Sequence, residues 1–311
     1  MNGTEMKNVK KRTFLSMVKR NVKLFFKDKA MFFTSLITPA ILLVLYVTFL
    51  GNVYRDNFSA GFPEGFSLSR QVIDGAVGAQ LLSSILAVCC VTVPFCSNML
   101  MVQDKITGAR KDLLIAPLKP AVLPVSYFLA TVASSLIVCL VAFGLCLGYV
   151  HAVGWFYTWV DVLRLAGDVV LLVLFGTALS SLIHFFLSTQ GQISAVGTIV
   201  SAGYGFICGA YMPISGFGTG LQKVLSFLPS TYATALMRNH AMGGVLQQMQ
   251  SEGVPEEVVR GIQKALDCDP EFAGKTVAVP EMYLFLCLTI LLLLGCYILV
   301  HGIAERKQRL P

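Results

Sequence analysis

The chain has 311 residues, of which 55% are hydrophobic and only 13% are charged. A water-soluble domain carries about 25% charged residues, so this composition excludes a soluble enzyme with one core, and also disordered and disulfide-rich secreted classes. The net charge of +7 does not indicate nucleic-acid binding, because most of the basic residues flank apolar segments, where they reflect membrane topology.

The first element in chain order is a basic amphipathic helix. Its apolar residues recur every three or four positions, at Phe14, Val18, Val22 and Phe25, among lysines and arginines. This pattern predicts an interfacial helix that lies on anionic headgroups, within a basic tail that covers residues 1–30. A disordered basic tail is the alternative.

Six apolar runs follow, and each is long enough to cross a bilayer as a helix, which takes about 20 residues. The runs cover residues 31–51, 76–102, 122–150, 167–187, 191–212 and 282–302. We therefore predict an all-α integral membrane protein, with a six-helix transmembrane domain over residues 31–302 and a short tail at 303–311. Basic residues concentrate before the first run, between the second and third, and after the sixth, so both termini are predicted to be cytoplasmic. The basic segment before the first run does not resemble a cleaved signal peptide, and we expect a plasma-membrane location.

The loop at 103–120, between the second and third runs, carries apolar residues in a polar setting. These are Ile106, Leu113, Leu114 and Ile115, and two prolines follow at 117 and 120. Apolar residues exposed on a cytoplasmic loop indicate a docking partner. A connector that packs on its own helices is the alternative.

The fifth run is rich in small residues and contains Gly205 and Gly209 at GxxxG spacing, which favours close helix packing within or between protomers. Residues 213–238 are apolar but interrupted by prolines and glycines, which predicts a shallow re-entrant hairpin on the external side. A flat interfacial loop is the alternative. A polar external segment follows at 239–280, with a helix predicted after Pro255.

The apolar runs contain few groups that could carry out chemistry. Asp168 and His184 lie near the ends of the fourth run, and Glu281 and His301 flank the sixth. A proton-coupled carrier normally has carboxylates or histidines near the membrane midplane, so that mechanism is not expected. Residues 269–276 end like a phosphate-binding loop but begin with Asp269 where glycine is required. We expect no catalytic, cofactor-binding or metal-ligating residues, and therefore an energy source outside the chain.

Together these features resemble the permease subunit of type-2 ABC exporters. The family's loop signature corresponds here to Asp104, Gly108, Leu113, Leu114 and Pro117, with Ala109 where the family usually has threonine. The signature after the fifth span corresponds to Gly209, Pro213, Pro229, Tyr232 and Arg238, with Leu228 in place of the usual asparagine.

The resemblance implies specific partners and roles. The loop residues would contact a separate cytoplasmic ATPase subunit, present in two copies and carrying ATP and magnesium. A second permease, identical or a sister subunit, would pack at Gly205 and Gly209. Spans 1, 2 and 5 would line the route, and Pro213, Pro229, Tyr232 and Arg238 would belong to an external gate.

The chain itself would then be a non-catalytic transport subunit that exports a hydrophobic or amphipathic substrate, such as a drug, a lipid or a peptide-like molecule. Individual substrate-binding residues are not predicted. Three alternatives remain open: export of a glycan precursor, a stand-alone carrier or channel that is ion-coupled, and a membrane scaffold or receptor that binds a ligand through residues 239–280.

Overall fold

The computed structural model describes residues 3–60, 68–115, 122–272 and 274–309 of the chain. Its helices are α1 Gly3–Lys27, α2 Lys29–Leu45, α3 Gly51–Ala60, α4 Arg70–Ile106, α5 Ala109–Ile115, α6 Val122–Val153, α7 Trp159–Phe186, α8 Gln190–Ile207, α9 Thr219–Leu225, α10 Pro229–Ser251, α11 Glu256–Ala265 and α12 Val279–Arg309. A π-helical segment, Tyr46–Leu50, joins α2 to α3, and a 3-10 turn, Ile214–Gly216, precedes α9. Strand β1, Glu271–Phe272, pairs antiparallel with β2, Lys275–Thr276.

Five helices among the described residues are long and apolar enough to cross a membrane. They cover Lys29–Asp56, Arg70–Ile106, Val122–Val153, Trp159–Phe186 and Val279–Ala304, and they match the first, second, third, fourth and sixth predicted runs. The predicted all-α membrane class is confirmed. The fifth run forms α8, which has 18 residues and at 1.5 Å per residue is about 27 Å long, slightly short of the bilayer core. The count of six spans therefore stays a prediction.

Helix α4 is the centre of the bundle. It has 37 residues, is buried on all sides, and contacts α2, α6, α7, α8 and α10. Small residues make this close packing possible, and Gly176 of α7 is the clearest case: a side chain there would collide with the backbone carbonyl of Cys90 in α4. The outer faces of α6 and α12, in contrast, expose leucines and isoleucines, as expected of surfaces that contact lipid.

The N-terminal helix α1 packs along α6 and touches α2 and α4. From residue 11 onward, where the side chains of α1 are described, the buried residues are Met17, Asn21 and Phe25, at a spacing of four, so this buried seam includes only one residue of the predicted stripe. Phe14, Val18 and Val22 flank this seam and are half-buried. The difference arises because α1 packs against protein on one side, so its apolar residues divide between the bundle and the surroundings.

The bundle has two ends. The coupling end holds the turn from α4 to α5 and the last residues of α7, and the distal end holds α9, α11 and the β-strands. Helix α10 packs against α4, α7 and α12, and most of its residues are buried. It continues without a break through residue 238, where the predicted hairpin ends and the predicted polar segment begins. Helix α11 begins directly after Pro255, as predicted.

Candidate coupling site and transport route

Asp104 lies near the end of α4, in a buried cluster that joins three helices. Its carboxylate accepts two hydrogen bonds from the Arg20 guanidinium of α1, at 2.7 and 3.0 Å, and one from the Tyr127 hydroxyl of α6, at 2.5 Å. Asp104 is 5% exposed, and its ion pair raises the pKa of Arg20 above the ordinary value. Buried carboxylates are stable when charge and hydrogen bonds are both satisfied, as they are here. The sequence indicated a docking role for Asp104, whereas its carboxylate contacts residues of the chain itself.

The turn between α4 and α5 depends on Gly108. Its φ of +83° lies in the left-handed region, which glycine adopts without strain, and a side chain there would touch nothing within 4 Å. Gly108 therefore sets the angle of α5 through its backbone alone.

The other predicted loop residues are placed as follows. Leu113 is partly buried against the core, and Ile106 just before the turn is 45% exposed. Leu114 lies in α5, and Pro117 falls outside the described residues.

Arg238, predicted as part of the gate, is a fully buried connector at the distal end. Its guanidinium donates to the backbone carbonyl of Leu266, after α11, at 2.6 Å and to that of Gly209, after α8, at 2.8 Å. Arg238 is 1% exposed, so these bonds form in a dry setting. Three segments that are distant in sequence are thus held by one side chain.

Gly205 and Gly209 belong to the turn that ends α8. Gly209 has a φ of +77° and lies beyond the last helical residue, while the face of Gly205 is covered by the ring of Tyr211. The two glycines therefore do not form one helical face within this chain. Their predicted role in protomer packing has no support from this geometry and stays a prediction.

The remaining gate residues lie in the same distal assembly. Pro213 precedes the 3-10 turn, and Pro229 is the first residue of α10. The Tyr232 hydroxyl donates to the carbonyl of Ser226 at 2.6 Å, which closes the turn between α9 and α10. The structure thus brings all four predicted gate residues to one end of the bundle.

Asp267 fastens the segment after Pro213 to the end of α11, and sequence reasoning missed it. Its carboxylate accepts hydrogen bonds from the backbone N–H groups of Ile214 and Ser215, the second at 3.2 Å. Burial raises the pKa of Asp267, and the nearby charge of Arg238 partly opposes this shift. The residue has a φ of +53°, which is uncommon outside glycine but tolerated by aspartate.

A groove of about 850 Å³ runs between α2, α4 and α8. Its lining has no charged residue among those described, and it includes Ile41, Leu45, Met99, Ile193, Thr198 and Phe206. A second cavity of about 790 Å³ lies at the distal end, between the π-helical segment, α3 and α11. Leu50 and Tyr211 line both cavities and therefore lie at the boundary between them.

Residues 67–300 match the family described as ABC-2 family transporter protein, which is well over half of the chain. The chain belongs to the ABC-2 transporter permease family. It is therefore the membrane component of an ABC transporter, a multi-pass membrane protein that associates with an ABC ATPase subunit. A comparison with curated proteins finds no match.

A second contact at the coupling end of the permease was not visible in the sequence. The Lys105 ammonium donates to the backbone carbonyls of His184, Phe185 and Leu187, at 3.2, 2.6 and 2.9 Å. These carbonyls end α7, where a helix has unpaired acceptors and partial negative charge. From the sequence, Lys105 looked like an ordinary basic residue of the loop, because its partners lie about 80 residues further along the chain.

Proposed function

We propose that the chain is the transmembrane subunit of an ATP-driven exporter that moves a hydrophobic or amphipathic molecule out across the plasma membrane. Two cytoplasmic ATPase subunits and a second permease would complete the transporter. The observation that carries the proposal is the cluster on Asp104, which fixes three helices directly beside the exposed turn into α5. The family match supplies the class of transporter.

Movement of α5 would be transmitted to four helices through two neighbouring residues. Asp104 holds α1 and α6 on α4, and Lys105 holds the end of α7. A displacement of α5 by the ATPase would therefore act on four helices together. Because each contact is a charge-assisted hydrogen bond in a partly buried setting, the assembly favours movement as a rigid body.

The groove between α2, α4 and α8 supports the substrate class and the route. These helices correspond to spans 1, 2 and 5, which the family resemblance assigns to the route. An apolar lining with a few hydroxyl groups, such as those of Thr34 and Ser201, suits uncharged amphipathic molecules better than polar ones. Ile37 and Ile199 are exposed beside the groove, so a second permease could close it.

The orientation follows from the charge distribution. With both termini cytoplasmic, the number of spans must be even, so α8 would be the fifth of six spans, and its shortness is compatible with a groove that is not fully exposed to lipid. The distal end then faces outward, and the assembly around Pro213, Pro229, Tyr232 and Arg238 forms the external gate, with the second cavity as the exit.

The proposal is tested by ATP-dependent uptake of a fluorescent amphipathic dye into inside-out vesicles that contain the permease and its ATPase. We expect uptake for the wild type and for Leu114→Met, and none for Leu114→Asp, because a charge on α5 would disrupt an apolar docking face. Membrane insertion of all three proteins serves as the control. Uptake that does not need ATP would contradict the proposal and favour a stand-alone carrier.

A further inference from the structure

Asp168 is a fully buried carboxylate within α7, and it joins three helices. Its Oδ2 atom lies 2.6 Å from Nδ1 of His240 in α10, and its Oδ1 atom accepts a hydrogen bond from the Tyr283 hydroxyl of α12 at 2.6 Å. The sequence placed Asp168 near the end of an apolar run and gave no reason to pair it with a histidine outside the runs. Its exposure of 0% shows that the carboxylate lies inside the bundle.

The cluster carries no net charge in only one protonation state. Among the described residues, no lysine or arginine forms an ion pair with Asp168, and His240 is its basic partner. An isolated carboxylate is costly to bury in a membrane domain, so the pair is most stable when it holds one proton, on either Asp168 or His240.

The cluster reaches the surface of the chain at His240 and Tyr283. The side chain of His240 is 10% exposed, its Nε2 atom has no hydrogen-bond partner among the described residues, and Tyr283 is partly buried. Asp168 is fully buried behind these two side chains, so a proton exchanged with the surface would pass through the imidazole or the Tyr283 hydroxyl. Histidine is suited to this role because its charge changes near neutral pH.

Few other ionisable groups act on the site. From α4, the Cys90 thiol lies within electrostatic reach of Asp168, and it donates to the backbone carbonyl of Val169 at 3.9 Å. Around Tyr283, the groups within reach are Arg164 of α7, which is largely exposed, and Cys287 of α12. No hydrogen bond or ion pair connects the cluster to α6 in the part of the chain that the structure describes.

We propose that Asp168, His240 and Tyr283 form a proton-binding site whose occupancy holds α10 against α7 and α12. Helix α10 also carries Arg238, two residues before His240, and Arg238 holds the end of α8 through Gly209. Loss or gain of a proton at the site would therefore loosen the helix that supports the distal assembly. The link to an external gate rests on the proposed function, whereas proton binding does not.

The pH dependence has a definite sign. The pair stabilises the bundle while it carries no net charge, and a net charge at this buried site, of either sign, costs stability. In His240→Gln, the buried carboxylate has no basic partner. Its ionisation then costs stability, so that stability falls as the pH rises from acid to neutral.

The test measures the thermal unfolding temperature of the purified permease in detergent, without the ATPase, across acid to alkaline pH. We expect a plateau around neutral pH for the wild type, a decline from acid to neutral pH for His240→Gln, and the wild-type profile for the control His151→Gln, which alters an exposed histidine. Tyr283→Phe should lower the plateau and keep its shape.

A constant offset between His240→Gln and the wild type at every pH would overturn the proposal, because it would indicate a packing role only. Infrared spectra provide an independent measurement. The C=O stretching band of a protonated carboxyl group should appear at neutral pH in His240→Gln and be absent from the double variant with Asp168→Asn. Its absence from His240→Gln would also overturn the proposal. Neither measurement depends on transport, so failure of the proposed function would leave both results unchanged.

Discussion

Arg20 and Asp104 are 84 residues apart in sequence, and their side chains form a bidentate ion pair that fixes α1 to the end of α4. Arg20 lies outside residues 67–300, the part of the chain that matches the family, while Asp104 lies inside it. The pair therefore joins the N-terminal helix to the end of α4, directly beside the turn into α5.

Replacing Asp104 with asparagine should weaken this unit. The substitution removes the charge that pairs with Arg20 and should destabilise the protein by about 1–3 kcal/mol, since Arg20 is partly exposed and hydrogen bonds to charged groups are worth this much. Unfolding in detergent measures the stability, and the transport-to-hydrolysis ratio measures coupling. In a double-mutant cycle, Arg20→Gln should add little once Asp104 is changed. Fully additive effects would show that the pair is not a functional contact.

Gly108→Ala should reduce coupling through the backbone. The left-handed conformation costs a residue with a side chain about 1–2 kcal/mol, and α5 would change direction to relieve this strain. Gly108→Asn is the matched control, because asparagine tolerates this conformation better. We expect less transport per ATP hydrolysed for alanine than for asparagine. Equal values for the two variants would mean that the angle of α5 does not depend on Gly108.

Tyr211→Ala should open a passage between the two cavities, with Tyr211 and Leu50 acting as the constriction in the wild type. The ring of Tyr211 covers Gly205 and lies edge-on to Phe206, with ring centroids 5.0 Å apart, so its removal opens a direct path past Leu50. We expect transport of bulkier dyes that the wild type excludes, measured in vesicles with a series of dyes of increasing size. Tyr211→Phe keeps the ring and should keep the size limit. An unchanged limit in the alanine variant would place the constriction elsewhere.

Arg238→Gln should loosen the distal assembly. Loss of the guanidinium leaves the carbonyls of Gly209 and Leu266 without their donor, at a cost of about 2–4 kcal/mol for two buried acceptors. Limited proteolysis should then cut near residues 210–228 faster than in the wild type. Lysine carries the charge but has one donor atom where Arg238 uses two separate guanidinium nitrogens, so Arg238→Lys should show an intermediate rate. Wild-type resistance in both variants would argue against the connecting role.

Asp267 should make stability depend on pH. Burial raises its pKa in the folded state, so the folded chain binds a proton more tightly than the unfolded chain, and stability falls as the pH rises from the ordinary carboxyl pKa through the folded value. Asp267→Asn cannot titrate and should lack this decline, when unfolding temperatures are compared over acidic pH. Parallel curves for the two proteins would refute the assignment.

Apolar periodicity and charge predicted much of the fold. Five runs became helices long enough to cross the membrane, because continuous apolar stretches of this length have few other stable structures. The sequence could not show that α10 is buried in the bundle. Its residues are on average neither strongly apolar nor strongly polar, and its burial depends on neighbours from α4, α7 and α12. Likewise, the spacing of Gly205 and Gly209 suggested a helix face, but the helix ends between them.

In the candidate sites, too, local features could be predicted from the sequence, whereas contacts between distant helices could not. The loop signature pointed to Asp104 and Gly108, which lie at the end of α4 and in the turn after it, because these are local features. The partners of Asp104 and Asp168 lie on other helices, and a single sequence contains no record of such pairings. Lys105 was overlooked for the same reason.

We expect a separate ATPase to drive this permease through α5, and co-purification can show whether it does. The tagged permease is isolated in mild detergent from its native membrane, and the co-purified soluble proteins and vanadate-sensitive ATP hydrolysis are measured. A stoichiometric ATPase subunit should accompany the wild type and Leu114→Met and be lost with Leu114→Asp. A preparation without an ATPase that still transports substrate in vesicles would show that the permease works without this partner.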